Sequence, residues 1–525
     1  MLCSIWLRGL NFNTVLLRDA GGGSAAACEY ERWILHAFPK VRKKLTKEMR
    51  AVTRSFHHAK GAMTERVRQR PCLNVWSKED AARLAAAKGD EVAKKLGKQL
   101  KEQGAAFQDE KRAMLACGNE LAFAASLGDA SVVTWGSPTS GGDSSSVQDR
   151  LKNVQHIQAT VFAFAAILAG GSVVTWGEHA HGGDCSTVQD RLENVQEIQA
   201  SCCAFAAILG DGSVVTWGDA AYGGDSGSVQ GRLKNVRRIQ ASDAAFAAIL
   251  GDGSVVTWGD ARAGGDSQTV QDELKDVQQI QASNNAFAAI LGDESVVTWG
   301  DEDFGGESSA VKEQLKNVRL IQASYRAFAA IICDGSVVTW GHAFSGGCSN
   351  AVQEQLKNVQ QVQASHYGAF AAIVEDGSVV TWGHAEHGGE SSAVQDQLKN
   401  VQQIQATGYA FAAILRDGSV VTWGDVRNGG DSSAVQDQLK HVQQIQATRE
   451  GAFAAILADG SVVTWGDAEH GADSSAVQER LKHVLHIQAS DCSFAAILRD
   501  GSIVSWGDAE YGGDSSAVQD QLENL

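Results

Sequence analysis

Three absences narrow the reading of this chain before any motif is considered. None of its 525 residues fall in an apolar run of eighteen, so no transmembrane helix is expected. The ten cysteines (Cys3, Cys28, Cys72, Cys117, Cys185, Cys202, Cys203, Cys333, Cys348 and Cys492) form no Cys-x-x-Cys pair and follow no common interval. A disulfide framework would show such an interval, so the thiols are expected to be free and the setting reducing, cytoplasmic or nuclear. The opening stretch has no acidic residue before Asp19 but is interrupted by Arg8, and no clear cleavage site follows. A targeting peptide is therefore not expected.

Charge is unevenly distributed. Residues 1–112 carry 23 Lys and Arg against 12 Asp and Glu, whereas the remainder carries 22 against 50. Two regions of opposite sign imply two jobs or two partners. Residues 1–27 end in Gly21-Gly22-Gly23-Ser24 and read as a flexible lead-in. Residues 28–112 read as a basic helical region. Trp33, Ile34, Phe38, Val41 and Leu45 share roughly one face, and a capping-box-like start lies at Ser77 and Asp80. The Lys40–Arg70 stretch is a possible dock for nucleic acid, anionic lipid or an acidic protein. No catalytic motif is recognised there.

Residues 113–525 are ten copies of one 41-to-42-residue unit. The period is marked by Val-Val-Thr-Trp-Gly, whose tryptophans are Trp135, Trp176, Trp217, Trp258, Trp299, Trp340, Trp382, Trp423, Trp465 and Trp506. Their fixed place at a strand end makes them structural packing wedges between units. Each unit predicts three strands, for example Gln403–Ala406, the doubly apolar Ala410–Leu415, and Ser419–Trp423. Asp417-Gly418 suits a tight hairpin that visits positive φ. A linker with Gly429-Gly430 and one short helical turn, pinned by Val435 and Leu439, leads to the next unit. It leaves no room for a fourth strand, and there is no Trp-Asp dipeptide, so the four-stranded WD blade is disfavoured despite its similar period.

The order Ile-x-Ala, Phe-Ala-Ala-Ile-Leu-x-Asp-Gly-Ser-Val-Val-Thr-Trp-Gly-x-x-x-x-Gly resembles the repeats of the regulator-of-chromosome-condensation and β-lactamase-inhibitor-protein-II superfamily, without a HECT domain. The resemblance implies a mainly β fold, a propeller-like array of about ten three-stranded blades, either a closed ring or an open spiral. It departs from the family where Ser or Thr replaces the Gly and His usual before the apolar strand. It implies a binding protein, not an enzyme. An exchange factor of this family acts through an insertion, and no unit here deviates by more than one residue. No cofactor and no metal are expected.

Two short windows vary from copy to copy while the frame barely changes. One precedes the apolar strand, and the other follows Trp-Gly; strand direction places both on the face opposite the hairpins. Variation on one rim of a rigid frame is how binding surfaces are built. Tyr222, Phe304, Tyr325, Arg326, Tyr367, Tyr409, Arg427, Arg449 and Tyr511 are the expected partner-binding residues, being of the types that anchor interfaces. The histidines at 179, 181, 342, 384, 387 and 470 do not recur in every copy and have no paired Cys, so they are not expected to hold a metal. The function expected is a protein–protein interaction scaffold with a protein partner on the rim. Its alternatives are a regulatory relative of ubiquitin ligases or exchange factors, and a chromatin- or nucleic-acid-associated protein docking through its basic region.

Overall fold

The computed structural model describes residues 116–128 and 130–523. The lead-in, the basic helical region and the Lys40–Arg70 stretch lie outside these residues. The described chain forms ten successive three-stranded antiparallel sheets, here numbered blades 1 to 10. First strands of successive blades approach one another, so they run innermost.

Blade 8 shows how sequence makes a blade. Its strands are Val401–Ala406, Ala410–Leu415 and Val420–Gly424. The inner strand starts two residues earlier than the alternation suggests, because a bulge between Val401 and Gln403 lets Val401 pair with Leu415. The hairpin turns at Asp417-Gly418 as expected. Leu415 N–H donates to the Ser419 carbonyl (2.9 Å), and of the loop residues only Gly418 is left-handed, at φ 83. Asp417 serves by accepting from the Ser419 N–H (2.9 Å) and hydroxyl (2.6 Å). The linker forms the expected short helical turn, with the Leu439 N–H donating to the Val435 carbonyl (3.3 Å). In it Ser432 links to Thr422 (3.0 Å) and donates to Gln436 (2.9 Å), which donates to the Val420 carbonyl (3.0 Å). The recurring Ser and Gln of the linker thus tie it to the outer strand.

Alanine-rich middle strands are buried on both faces, and each joins two cores. Ala369, Ala371, Ile373 and Val379 of blade 7 pack against Ile404, Phe411, Ala413, Val421 and Trp423 of blade 8. Burying each large side chain contributes about 1.5–3 kcal/mol. A polar joint completes the junction. Trp423 stacks on Phe411 at 5.2 Å and donates its Nε1–H to the Gly388 carbonyl of blade 7 (3.0 Å). Gly388 lies against the Phe411 ring at φ 95, where a Cβ would strike the ring.

Among the described residues no strand ladder crosses between blades, so sheet hydrogen bonding leaves the array open. Packing makes it cyclic. Trp135 of blade 1 donates to the Gly512 carbonyl of blade 10 (2.9 Å), the same joint as elsewhere. Phe123, Val133 and Trp135 share a core with Ile497, Ile503 and Leu522. The open alternative, a spiral with free ends, is therefore not what the packing forms.

Trp299, 3% exposed and bonded to Gly264 (3.0 Å), reports the strength of one joint. Trp299→Ala is expected to cost about 3–5 kcal/mol and Trp299→Phe less, read by denaturant unfolding. Equal and negligible losses would show that the joint does not hold the blades.

Candidate functional site

The two variable windows of a blade adjoin because the Ser or Thr ahead of the first holds the second. Ser242 Oγ donates to the Ala263 carbonyl (2.8 Å), and Ser201, Ser283 and Ser324 reach Tyr222, Phe304 and Ser345 likewise. The same hydroxyl accepts a backbone N–H, as Thr407 does from Ala410 (2.9 Å). This explains the residues standing where the resembling family has Gly and His. The extra residue of blades 7 and 9 is absorbed in the first window by Gly368 and Gly451, both at positive φ.

First windows of neighbouring blades also bond to each other. N–H groups of Val161, Cys202, Asp243, Asn284 and Tyr325 donate in turn to carbonyls of Cys202, Asp243, Asn284, Tyr325 and His366 (2.8–3.2 Å). The belt continues through Tyr367 to Gly408, Gly408 to Arg449, and Glu450 to Asp491. A loop crown near the centre is thereby fixed by its own backbone, which frees its side chains to vary.

Those side chains sort into sectors. Over blades 5 to 8 they are aromatic. Tyr325 lies 5.6 Å from Phe304 and 5.4 Å from His366, while Tyr367 lies 4.7 Å from Tyr409. His387 meets the Tyr409 ring edge-on at 5.1 Å. Arg326 stands over the Phe304 ring at 4.6 Å and reaches Asp303 at 3.5 Å. Next to this sector lies a charged cluster. Arg449 contacts Glu120 (2.7 Å), Glu450 (3.2 Å) and Asp491, and Tyr367 donates to Glu450 (3.1 Å). Burial works against the Arg449 charge, but Asp491 and Glu120 hold the guanidinium firmly protonated. Burial, with Arg449 beside it, depresses His366 to about 3, so its ring is neutral. Burial and then Glu450 push the Tyr367 hydroxyl up.

The nine expected rim residues all lie in these windows, but they do not project alike. Only Arg427 is exposed; the other eight are half-buried. Tyr222 and Phe304 lean on blade cores, and Tyr325, Tyr367 and Tyr409 lean largely on each other. Reading by residue type overlooked Phe344 and Val426, 77% and 66% exposed at the second windows of blades 6 and 8. Their signal was an apolar side chain in a variable loop that no core position explains. It also overlooked Glu120, Glu450 and Asp491, which become neighbours of Arg449 only in the folded array. Among the described residues no group of His, Cys, Asp and Glu could hold a metal, and Cys185, Cys202, Cys203, Cys333, Cys348 and Cys492 form no disulfide. Among them, too, no helix is long and apolar enough to cross a membrane.

No family model matches the chain, and no curated protein matches it. Solved structures similar to it include Prp20p from Saccharomyces cerevisiae, described with its binding to Gsp1p and histones. That likeness has 16% identity and a TM-score of 0.31, and covers 57% of this chain and 92% of the other. Yeast RCC1 (Prp20) bound to Kap60 is similar at 15% identity and a TM-score of 0.31, over 60% and 81%. A computationally designed protein, Ika8, is similar at 14% identity and a TM-score of 0.29, over 60% and 96%. The blade architecture rests on the strand topology and the junctions, not on these likenesses.

Asp243 supplies a pH test of the crown. Burial raises its carboxyl to about 6, with Asn284 bonding it and Glu120 adding negative potential. A carboxyl raised in the folded state favours its protonated form, so its ionisation costs stability as pH climbs from about 4 through 6. Asp243→Asn is expected to raise Tm at pH 7.5, with the gain shrinking to nothing near pH 4. An equal Tm shift at both pH values in thermal unfolding would contradict the burial of this group.

Proposed function

We propose that the chain is a protein–protein interaction scaffold, with its partner seated on the rim arc over blades 5 to 8. The observation that carries this reading is the placement of Phe344 and Val426. They are the two most exposed large apolar side chains among the described residues, and both stand in second windows of the arc that carries the aromatic sector. Isolated apolar side chains are common on surfaces, but exposed ones flanking a preformed aromatic cluster are the usual make-up of an interface centre. The frame around them is rigid, so little ordering cost opposes binding.

The arc's polar border supports a partner of stated chemistry. Asp301, Glu302, Glu386 and Asp425 surround it, against the exposed Arg427. A polypeptide segment offering apolar side chains flanked by Lys or Arg complements this border and gains association rate from it. Binding, not catalysis, is the role proposed. The six thiols named above that form no disulfide support a cytoplasmic or nuclear setting.

The test uses the full chain as bait, with Phe344→Ser/Val426→Asp as the rim variant and Asp211→Ala on the opposite hairpin face as control. A partner recovered by the wild type should lose at least about tenfold in affinity, roughly 1.4 kcal/mol, for the rim variant, with Tm unchanged. Loss with the hairpin control alone would place the partner on the other face and sink the reading.

A further inference from the structure

Eight of the ten blades hold the second window with the side chain that stands ahead of the first. Blades 7 and 9 are the exceptions, and they are the two whose first window has an extra residue. There the hydroxyls of Ser365 and Thr448 accept the N–H groups of Ala369 and Ala452, four residues on (both 2.9 Å). Among the described residues neither hydroxyl reaches a second-window carbonyl.

In blade 7 an imidazole has taken over the task. His387 Nδ1 lies 3.2 Å from the Tyr367 carbonyl. A carbonyl only accepts, so Nδ1 carries the hydrogen and Nε2 is the atom left to titrate. The ring is half-buried, stacks on His384 at 3.7 Å and meets Tyr409 edge-on at 5.1 Å. His384 stands where blades 3, 4, 5, 8, 9 and 10 have an aspartate whose carboxylate caps the turn. It caps nothing itself, and its Nδ1 is buried without a hydrogen bond. The ends of this window are fixed as elsewhere, by the His384 N–H on the Gly368 carbonyl (3.0 Å) and by Trp423 on Gly388 (3.0 Å). Between those ends, His387 is the side chain that ties it down.

The titratable groups facing His387 are Tyr367 and Tyr409 from the first windows, His384 and Glu386 from its own, and Asp425 from blade 8. Burial, above all, holds the imidazole below its ordinary range. His384 acts in the same direction, while the Tyr367 carbonyl, Glu386 and Asp425 offset part of it.

We propose that His387 is a titratable latch at the centre of the rim arc, and that protonating its ring frees the second window of blade 7. A second proton, taken from solvent at Nε2, puts a charge among two tyrosines and another imidazole, where water solvates it poorly. The ring holds that proton better once it has swung out. The latch is therefore intact above the ordinary histidine value of about 6.5 and is lost as pH falls below it. The window lies between those that carry Phe344 and Val426, so its release alters the surface between them. That consequence rests on the binding reading; the latch itself does not.

Hydrogen exchange on the free full chain tests the latch, read as protection factors so that the intrinsic pH dependence of exchange cancels. The bonded amides of His387, Gly388 and Gly389 report the window, and those of Ala263 and Gly265 in blade 4 are the reference. From pH 7.5 to pH 5 the window amides should lose about tenfold in protection and the reference none. His387→Asn keeps an N–H in the place of Nδ1 without a titrating ring, and should remove the acid loss. His384→Asp restores the cap used in other blades and sets a carboxylate beside His387, and should remove the loss as well. Protection independent of pH in the wild type, a loss that persists in His387→Asn, or one shared by the reference amides overturns the latch. Should His387→Asn not fold, His384→Asp decides alone: an unchanged acid loss overturns it. A window that titrates while the Phe344→Ser/Val426→Asp chain keeps its partner upholds the latch and sinks the arc.

Discussion

Everything in this molecule hangs on a contact between a glycine and two rings. A left-handed glycine of one blade lies flat on a phenylalanine of the next, while its carbonyl accepts the indole N–H of the tryptophan stacked on that phenylalanine. The contact needs glycine twice over, for its positive φ and for the absence of a Cβ that would collide with the ring. It satisfies the one polar group of a buried tryptophan, which would otherwise lose a hydrogen bond on burial. Because among the described residues no strand pairs across a junction, this joint and the apolar face around it are what set one blade against the next. Repeating it ten times brings the last blade back to the first.

The rim inherits its order from that frame. The glycine sits immediately after the second window, and the Ser or Thr hydroxyl that holds this window stands immediately before the first. Both variable loops are therefore anchored at fixed points, and the backbone of the first bonds onward to neighbouring blades. Side chains between the anchors are free to change without disturbing the frame. The result is a set of preformed sectors, aromatic over blades 5 to 8 and ionic around Arg449, instead of ten equivalent loops.

Much of the frame was legible in the sequence. Alternation, the Asp-Gly-Ser turn and the Trp-Gly strand end located three strands per unit, because each depends on residues within a few positions of one another. The sequence left open how each turn is held. At Asp417-Gly418 only the glycine turns left-handed, while the Asp417 carboxylate bonds Ser419. The helical turn over Val435 and Leu439 is tied to the outer strand by the Ser432–Gln436 relay. At the rim, residue type singled out tyrosines that the fold half-buries against each other and passed over the exposed Phe344 and Val426.

The sequence by itself determined the unit, its number of copies, its strands and the loops allowed to vary, since these are properties of neighbours along the chain. Tertiary structure alone decided that the array returns on itself and which side chains meet there. Arg449 and Glu120 are 329 positions apart, and Trp135 and Gly512 are 377 apart. Their meeting depends on the angle each joint adds, summed over all the blades. No local pattern carries that sum; it exists only once every glycine has found its ring.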